Sequence, residues 1–142
     1  MRALLDVNVL IALLDADHSL HGRAMQWLGS HARAGWASCP ITQNGCARIM
    51  SHTGYPNALP VQAVMGRLRE ATASRYHEFW PDDISLLDAE VANATRIHGP
   101  RQITDVYLLA LAVRQGGQFV TLDTAVSHEA VIGADKRHVL VL

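Results

Sequence analysis

The chain has 142 residues, a formal net charge of −1, 49% hydrophobic residues and 18% charged ones. That length suits a single domain over residues 1–142, with a core large enough to hold without disulfides or a structural metal. The apolar balance excludes a disordered chain, no apolar run reaches membrane-spanning length, and the near-neutral charge counts against a strongly basic nucleic-acid binder without excluding nucleic acid.

Ala3 to Leu5 reads as a short buried strand that stops at Asp6. Val9 to Leu14 follows as a short helix, and Asn8 before it reads as a helix N-cap or a polar support for Asp6. Ser19 is placed to cap a helix from Leu20 to Ala32 that Gly35 ends. Trp36 to Cys39 reads as a second strand, and a helix begins at Pro40 or Thr42 and runs to His52. "HTGYPNALP" is a loop, Val61 to Thr72 a helix, and "YHEFW" a third strand. Ile84 to His98 carries Ile84, Leu87, Val91 and Ala94 at helical spacing, and Gly99 and Pro100 stop it. Thr104 is placed to cap "DVYLLALAVRQ", which is apolar almost all round and therefore central. "QFVTLD" is a strand, a short helix is expected over Ala125 to Ile132, and "HVLVL" closes the chain as a strand. Strands alternating with helices predict an α/β sandwich around a mostly parallel sheet.

Ligands of such sheets sit beyond the carboxyl ends of the strands. Two strand-like runs end in an acid there, "RALLD" at Asp6 and "FVTLD" at Asp123, and Asp105 opens the most buried helix. Singly, each has an ordinary explanation as a turn residue, a helix cap or a helix-dipole charge. Together, three carboxylates on one edge would repel one another and raise their proton affinities. A divalent cation removes that conflict, and hard oxygen ligands suit Mg²⁺ or Mn²⁺, which commonly serve phosphoryl chemistry.

At these residues the chain resembles the PIN-domain ribonucleases. "LLDVNVLIALL", "ITDVYLLALA" and "FVTLD" look like their successive acidic motifs. "DADHSLHGRAMQWL" and "CPITQNGCARIMSHTGYP" are similar to stretches in one branch of the VapC toxins of VapBC toxin–antitoxin pairs. The resemblance implies a three-layer α/β/α sandwich and Mg²⁺- or Mn²⁺-dependent endoribonuclease action that leaves a 5′-phosphate and a 3′-hydroxyl. It also implies a cognate antitoxin protein and a homodimer. Asp6, Asp105 and Asp123 match the family's catalytic, metal-holding acids. Asn8 matches a polar residue after the first acid, and Thr121 the threonine of a "T-x-D" motif.

One position departs. The family usually carries a glutamate in the helix after the second strand, shortly before an arginine. Here Gln43, Asn44 and Gly45 precede Arg48 with no acid among them. A three-carboxylate site is therefore expected, with Asn44 as an uncharged substitute. The alternative is a catalytically weak PIN-fold module that binds an antitoxin or RNA. A phosphorylation-receiver domain fits poorly, because it needs an early acid pair and a late strand-end lysine, and the only lysine is Lys136. Cys39 and Cys46 lack redox or zinc spacing and the N-terminus lacks a signal-peptide layout, so a cytoplasmic location with reduced thiols is expected.

Overall fold

A computed structural model describes residues 1–142. Its sheet holds Ala3–Leu5 (β1), Trp36–Ser38 (β2), His77–Phe79 (β3), Gln118–Thr121 (β4) and Val139–Val141 (β5). The order is β3-β2-β1-β4-β5, and every pairing is parallel. Parallel neighbours need long crossovers; the one from β4 to β5 holds only a 3-10 turn at Lys136–His138, and the rest are supplied by α-helices. These are Val7–Leu14 (α1), His21–His31 (α2), Pro40–Ser51 (α3), Val61–Thr72 (α4) and Ile103–Arg114 (α5).

The strand pleat divides the core in two. Leu4, Ala37 and Phe119 face one side and pack with Leu108, Leu109 and Leu111 of α5. Ala3, Leu5, Trp36 and Val120 face the other, against Val9 and Leu10 of α1, Met50 of α3 and Val64 of α4. The expected three-layer sandwich is therefore present, with α5 as the one α-helix of its layer.

The helix expected over Ile84 to His98 is absent, and the reason is local competition for backbone groups. Ser85 Oγ accepts from Leu87 N–H at 3.1 Å, Asp88 Oδ1 from Glu90 N–H at 2.9 Å, and Asn93 Oδ1 from Thr95 N–H at 3.1 Å. Such turns offer the backbone an alternative to the helical ladder. Ala92 also bridges Val131, with Asn93 N–H donating to Ala130 O at 2.8 Å and Ile132 N–H to Val91 O at 3.0 Å. The same pairing replaces the helix expected over Ala125 to Ile132. Ile84, Val91 and Ile97 still pack onto the α5 core, whereas Leu87 is 97% exposed.

Three helix starts also differ. The first helix begins at Val7, capped by Asp6 and not by Asn8. Ser19 caps nothing, since His18 Nδ1 accepts from Leu20 N–H at 3.0 Å and the helix starts at His21. A 3-10 turn at Pro100–Gln102 leads into α5, so Thr104 lies inside that helix. Strand β4 stops at Thr121, two residues short of Asp123. Cys39 and Cys46 are free and buried, and no helix is long and apolar enough to cross a membrane.

Candidate active site

Strands β1 and β4 lie side by side with Leu5 opposite Val120, so the chain leaves both at the same edge. Asp6 is the next residue after β1, and its N–H donates to Val120 O at 2.9 Å. The residue is only 8% exposed. Oδ1 accepts from Val7 N–H at 2.7 Å, and Oδ2 accepts from the Thr121 hydroxyl at 2.7 Å. A carboxylate this buried needs such donors.

Thr121 is fully buried and spends its whole hydrogen-bonding capacity here. Besides donating to Asp6, its Oγ1 accepts from Asp123 N–H at 3.0 Å and from Asn8 Nδ2 at 3.4 Å. Asn8 Oδ1 in turn accepts from Leu122 N–H at 3.2 Å. One hydroxyl and one amide thus tie the first acid to the loop that carries the third. Asp123 itself is exposed, with Oδ1 accepting from Ala125 N–H at 2.8 Å.

Asp105 stands half-buried in the first turn of α5. Its carboxyl is pushed up to about 6, first by burial and then by the negative charges of Asp6 and Asp123. Burial also raises Asp6 above the usual carboxylate range, against the pull of the Thr121 and Val7 hydrogen bonds, and Asp123 adds a further push. The three acids therefore share one field. No three His, Cys, Asp or Glu side chains crowd a single point closely enough to cage an ion in this conformation. The donor set still fits a hard divalent cation: oxygen-only, unneutralised and open to water.

Asn44 is exposed on α3, and its amide makes no hydrogen bond to any of the acids. Its neighbour Gly45 explains how α3 approaches the site. A Cβ at Gly45 would lie 2.7 Å from Val7 Cγ2, so only glycine lets α3 close on the first turn of α1, one residue past Asp6. Sequence reasoning missed Arg96, Gln102 and Ser127, which line a small cavity with Asp105. Arg96 sat inside a stretch read as a helix, and nothing local signalled its place beside the acid.

The PIN domain family profile matches residues 3–131. The chain belongs to the PIN-domain family. Within that family it is 51% identical over 142 residues to Ribonuclease VapC44 of Mycobacterium tuberculosis, covering 100% of both chains, which places it among VapC-type PIN proteins. The fold is similar to that of Mycobacterium tuberculosis VapC20, described as a Sarcin-Ricin loop cleaving toxin. That likeness has a TM-score of 0.58 at 13% identity and covers 82% of this chain and 85% of that one. It is also similar to VapBC2 from Rickettsia felis bound to a DNA fragment from their promoter, with a TM-score of 0.57 at 10% identity over 88% and 90% of the two chains. At these identities the two structures speak to the PIN fold alone.

Proposed function

We propose that this PIN-domain chain is a divalent-metal-dependent endoribonuclease, using Mg²⁺ or Mn²⁺, and the toxin of a VapBC toxin–antitoxin pair. The observation that carries this reading is the charge coupling of Asp105 to Asp6 and Asp123, and of Asp6 to Asp123, at the carboxyl edge of a parallel sheet. The 51% identity to a VapC ribonuclease over the whole chain supports RNA as the substrate. When bound, the cation supplies a water of lowered pKa and positive charge for the phosphate oxygens.

The chain's own residues do the positioning. Asp6 is locked by the Val7 N–H and the Thr121 hydroxyl, so each of its oxygens presents its free lone pair in a fixed direction. Thr121 and Asn8 hold the Asp123 loop against Asp6. Asp105 closes the edge from α5. The attacking water leaves its oxygen on the 5′-phosphate, the phosphorus–O3′ bond breaks, and a proton passes to the departing 3′-oxygen.

The test is cleavage of structured RNAs by the purified chain with Mn²⁺, with EDTA, and as Asp6→Asn. Cleavage that needs the ion and vanishes in Asp6→Asn is the expected result. Cleavage that ignores EDTA, or that survives in a clean Asp6→Asn preparation, overturns the reading.

The exposed Met25, Val61 and Met65 on α2 and α4 support a cognate antitoxin covering that side. A homodimer is the assembly we propose on family likeness, checked by light scattering. Two buried free thiols support a reducing cytoplasm. A second reading, a catalytically weak module that binds an antitoxin or RNA, draws on the absence of an acid among Gln43, Asn44 and Gly45, the stretch before Arg48. RNA binding without cleavage in any divalent ion favours it.

A further inference from the structure

Asp105 has a second surround besides the other acids. It borders a cavity of about 20 Å³ between the start of α5 and the chain after Asp123. Arg96, Gln102 and Ser127 supply the other polar lining, over Val126 and Ala130. Neither Asp6 nor Asp123 reaches it. The volume holds about one water-sized group, so it admits an oxygen atom and excludes a base.

Besides the Asp105 carboxylate, which is an acceptor, the polar groups around it have donors to spare. Arg96 is exposed and takes no part in the chain's ion pairs, so its guanidinium is not spent on Asp105. Gln102 Oε1 is occupied by His98 N–H at 2.8 Å, which leaves the amide Nε2 free to donate. Ser127 Oγ accepts from Glu129 N–H at 3.3 Å, which leaves its proton free as well. A cationic fork beside two neutral donors is the chemistry that recognises a phosphate oxygen.

We propose that Arg96, with Gln102 and Ser127, forms a subsite for an RNA phosphate flanking the one being cut. The inference rests on the nuclease reading. A phosphate over all three acids would be held by the cation, whereas this cavity has Asp105 as its one acid and so suits a neighbour along the backbone. The subsite also answers an electrostatic problem: an edge built of carboxylates repels a polyanion wherever the cation does not reach. Arg96 supplies local positive charge there in a chain whose net charge is −1.

Binding of a short fluorescein-labelled, mixed-sequence single-stranded RNA tests this, by anisotropy across a salt series in Mg²⁺. An Asp6→Asn background silences the proposed cleavage. Arg96→Gln is expected to weaken binding several-fold and to flatten the slope of log affinity against log salt by about 0.7, the loss of one phosphate contact on a single strand. Arg96→Lys keeps the charge and restores the slope. Arg33→Gln, an exposed arginine just before β2 at the opposite edge of the sheet, leaves the slope unchanged. Arg96 has no ion-pair partner, so the melting temperature of Arg96→Gln stays at the parent value and separates contact loss from misfolding. An unchanged slope in Arg96→Gln, an equal effect of Arg33→Gln, or no RNA binding by the parent overturns the subsite. Absence of Mn²⁺-dependent cleavage by the wild-type chain overturns the nuclease reading instead, whatever the slope.

Discussion

The Thr121 hydroxyl donates to Asp6 Oδ2 at 2.7 Å, joining residues 115 apart in sequence where two parallel strands end side by side. The same oxygen accepts from the Asp123 N–H and the Asn8 amide. A single buried atom therefore sets the direction of the first acid and the position of the third.

Thr121→Val keeps the shape and removes that atom's polarity. Three groups lose their partner at once, and the expected cost is about 1–3 kcal/mol in thermal or urea unfolding. The hydrogen bond holds the Asp6 carboxyl down, so its loss moves the acid limb of the cleavage profile to higher pH. Thr121→Ser keeps the hydroxyl and stays close to wild type on both counts. A valine variant with wild-type stability and pH profile contradicts the role given to Thr121.

Asp105 makes the metal-free chain sensitive to pH. Its carboxyl is raised from 3.8 to about 6 in the fold, first by burial and then by Asp6 and Asp123. The folded chain therefore holds a proton that the unfolded chain has released, and stability falls as pH rises from about 4 through about 6. Asp105→Asn removes the charge, so in EDTA it is expected to melt higher than wild type at pH 7.5 and to match it at the acid end. Added Mg²⁺ narrows the gap by stabilising only the wild type appreciably. Equal melting curves of the two proteins in EDTA at both pH values count against this coupling.

Asn44→Glu supplies an acid in the helix before Arg48, the stretch where the resemblance leads one to expect a glutamate. The position is exposed on a helix, so the fold tolerates the change. Gly45, its neighbour, packs on Val7 one residue past Asp6, so the variant asks whether a carboxylate on this turn of α3 reaches the cation. Mn²⁺ affinity by calorimetry is expected to tighten about tenfold, equivalent to about 1.4 kcal/mol, with faster RNA cleavage. Unaltered Mn²⁺ affinity means that Asn44 does not share the site.

Gly45→Ala tests the approach itself. Alanine favours a helix over glycine by about 1 kcal/mol. The added Cβ would lie 2.7 Å from Val7 Cγ2, and a β-branched side chain cannot swing aside freely. Overpacking costs about 1–3 kcal/mol, so the variant is expected to melt lower and to cut RNA more slowly as α1 and Asp6 shift. A more stable Gly45→Ala shows that Val7 yields.

Much of this protein was legible along the chain. Helix α4 runs over Val61–Thr72 as its periodicity predicts, because period and breakers are local properties. The buried strands at Ala3 and Gln118 and the central helix around Leu108 were equally plain, since an apolar run reports its own burial. Asp6, Asp105 and Asp123 stood out because acids interrupt or border those runs. Local pattern failed over 84–98, where helical spacing was real but Ser85, Asp88 and Asn93 captured backbone donors, and over 125–132, which pairs with that segment through Ala92 and Val131.

The sequence by itself determined the alternation of strand and helix, the faces that are buried, and the three acids at strand and helix ends. These follow from the hydrophobic effect acting on neighbours in the chain. Tertiary structure alone decided that Asp6 caps its helix while sharing Thr121 with Asp123, that Gly45 admits Val7, and that Arg96 borders Asp105. Each of these last contacts depends on which strands lie adjacent and how loops return over the sheet edge. Hydrogen bonds and charges act over a few ångströms of space, whatever the number of residues between them.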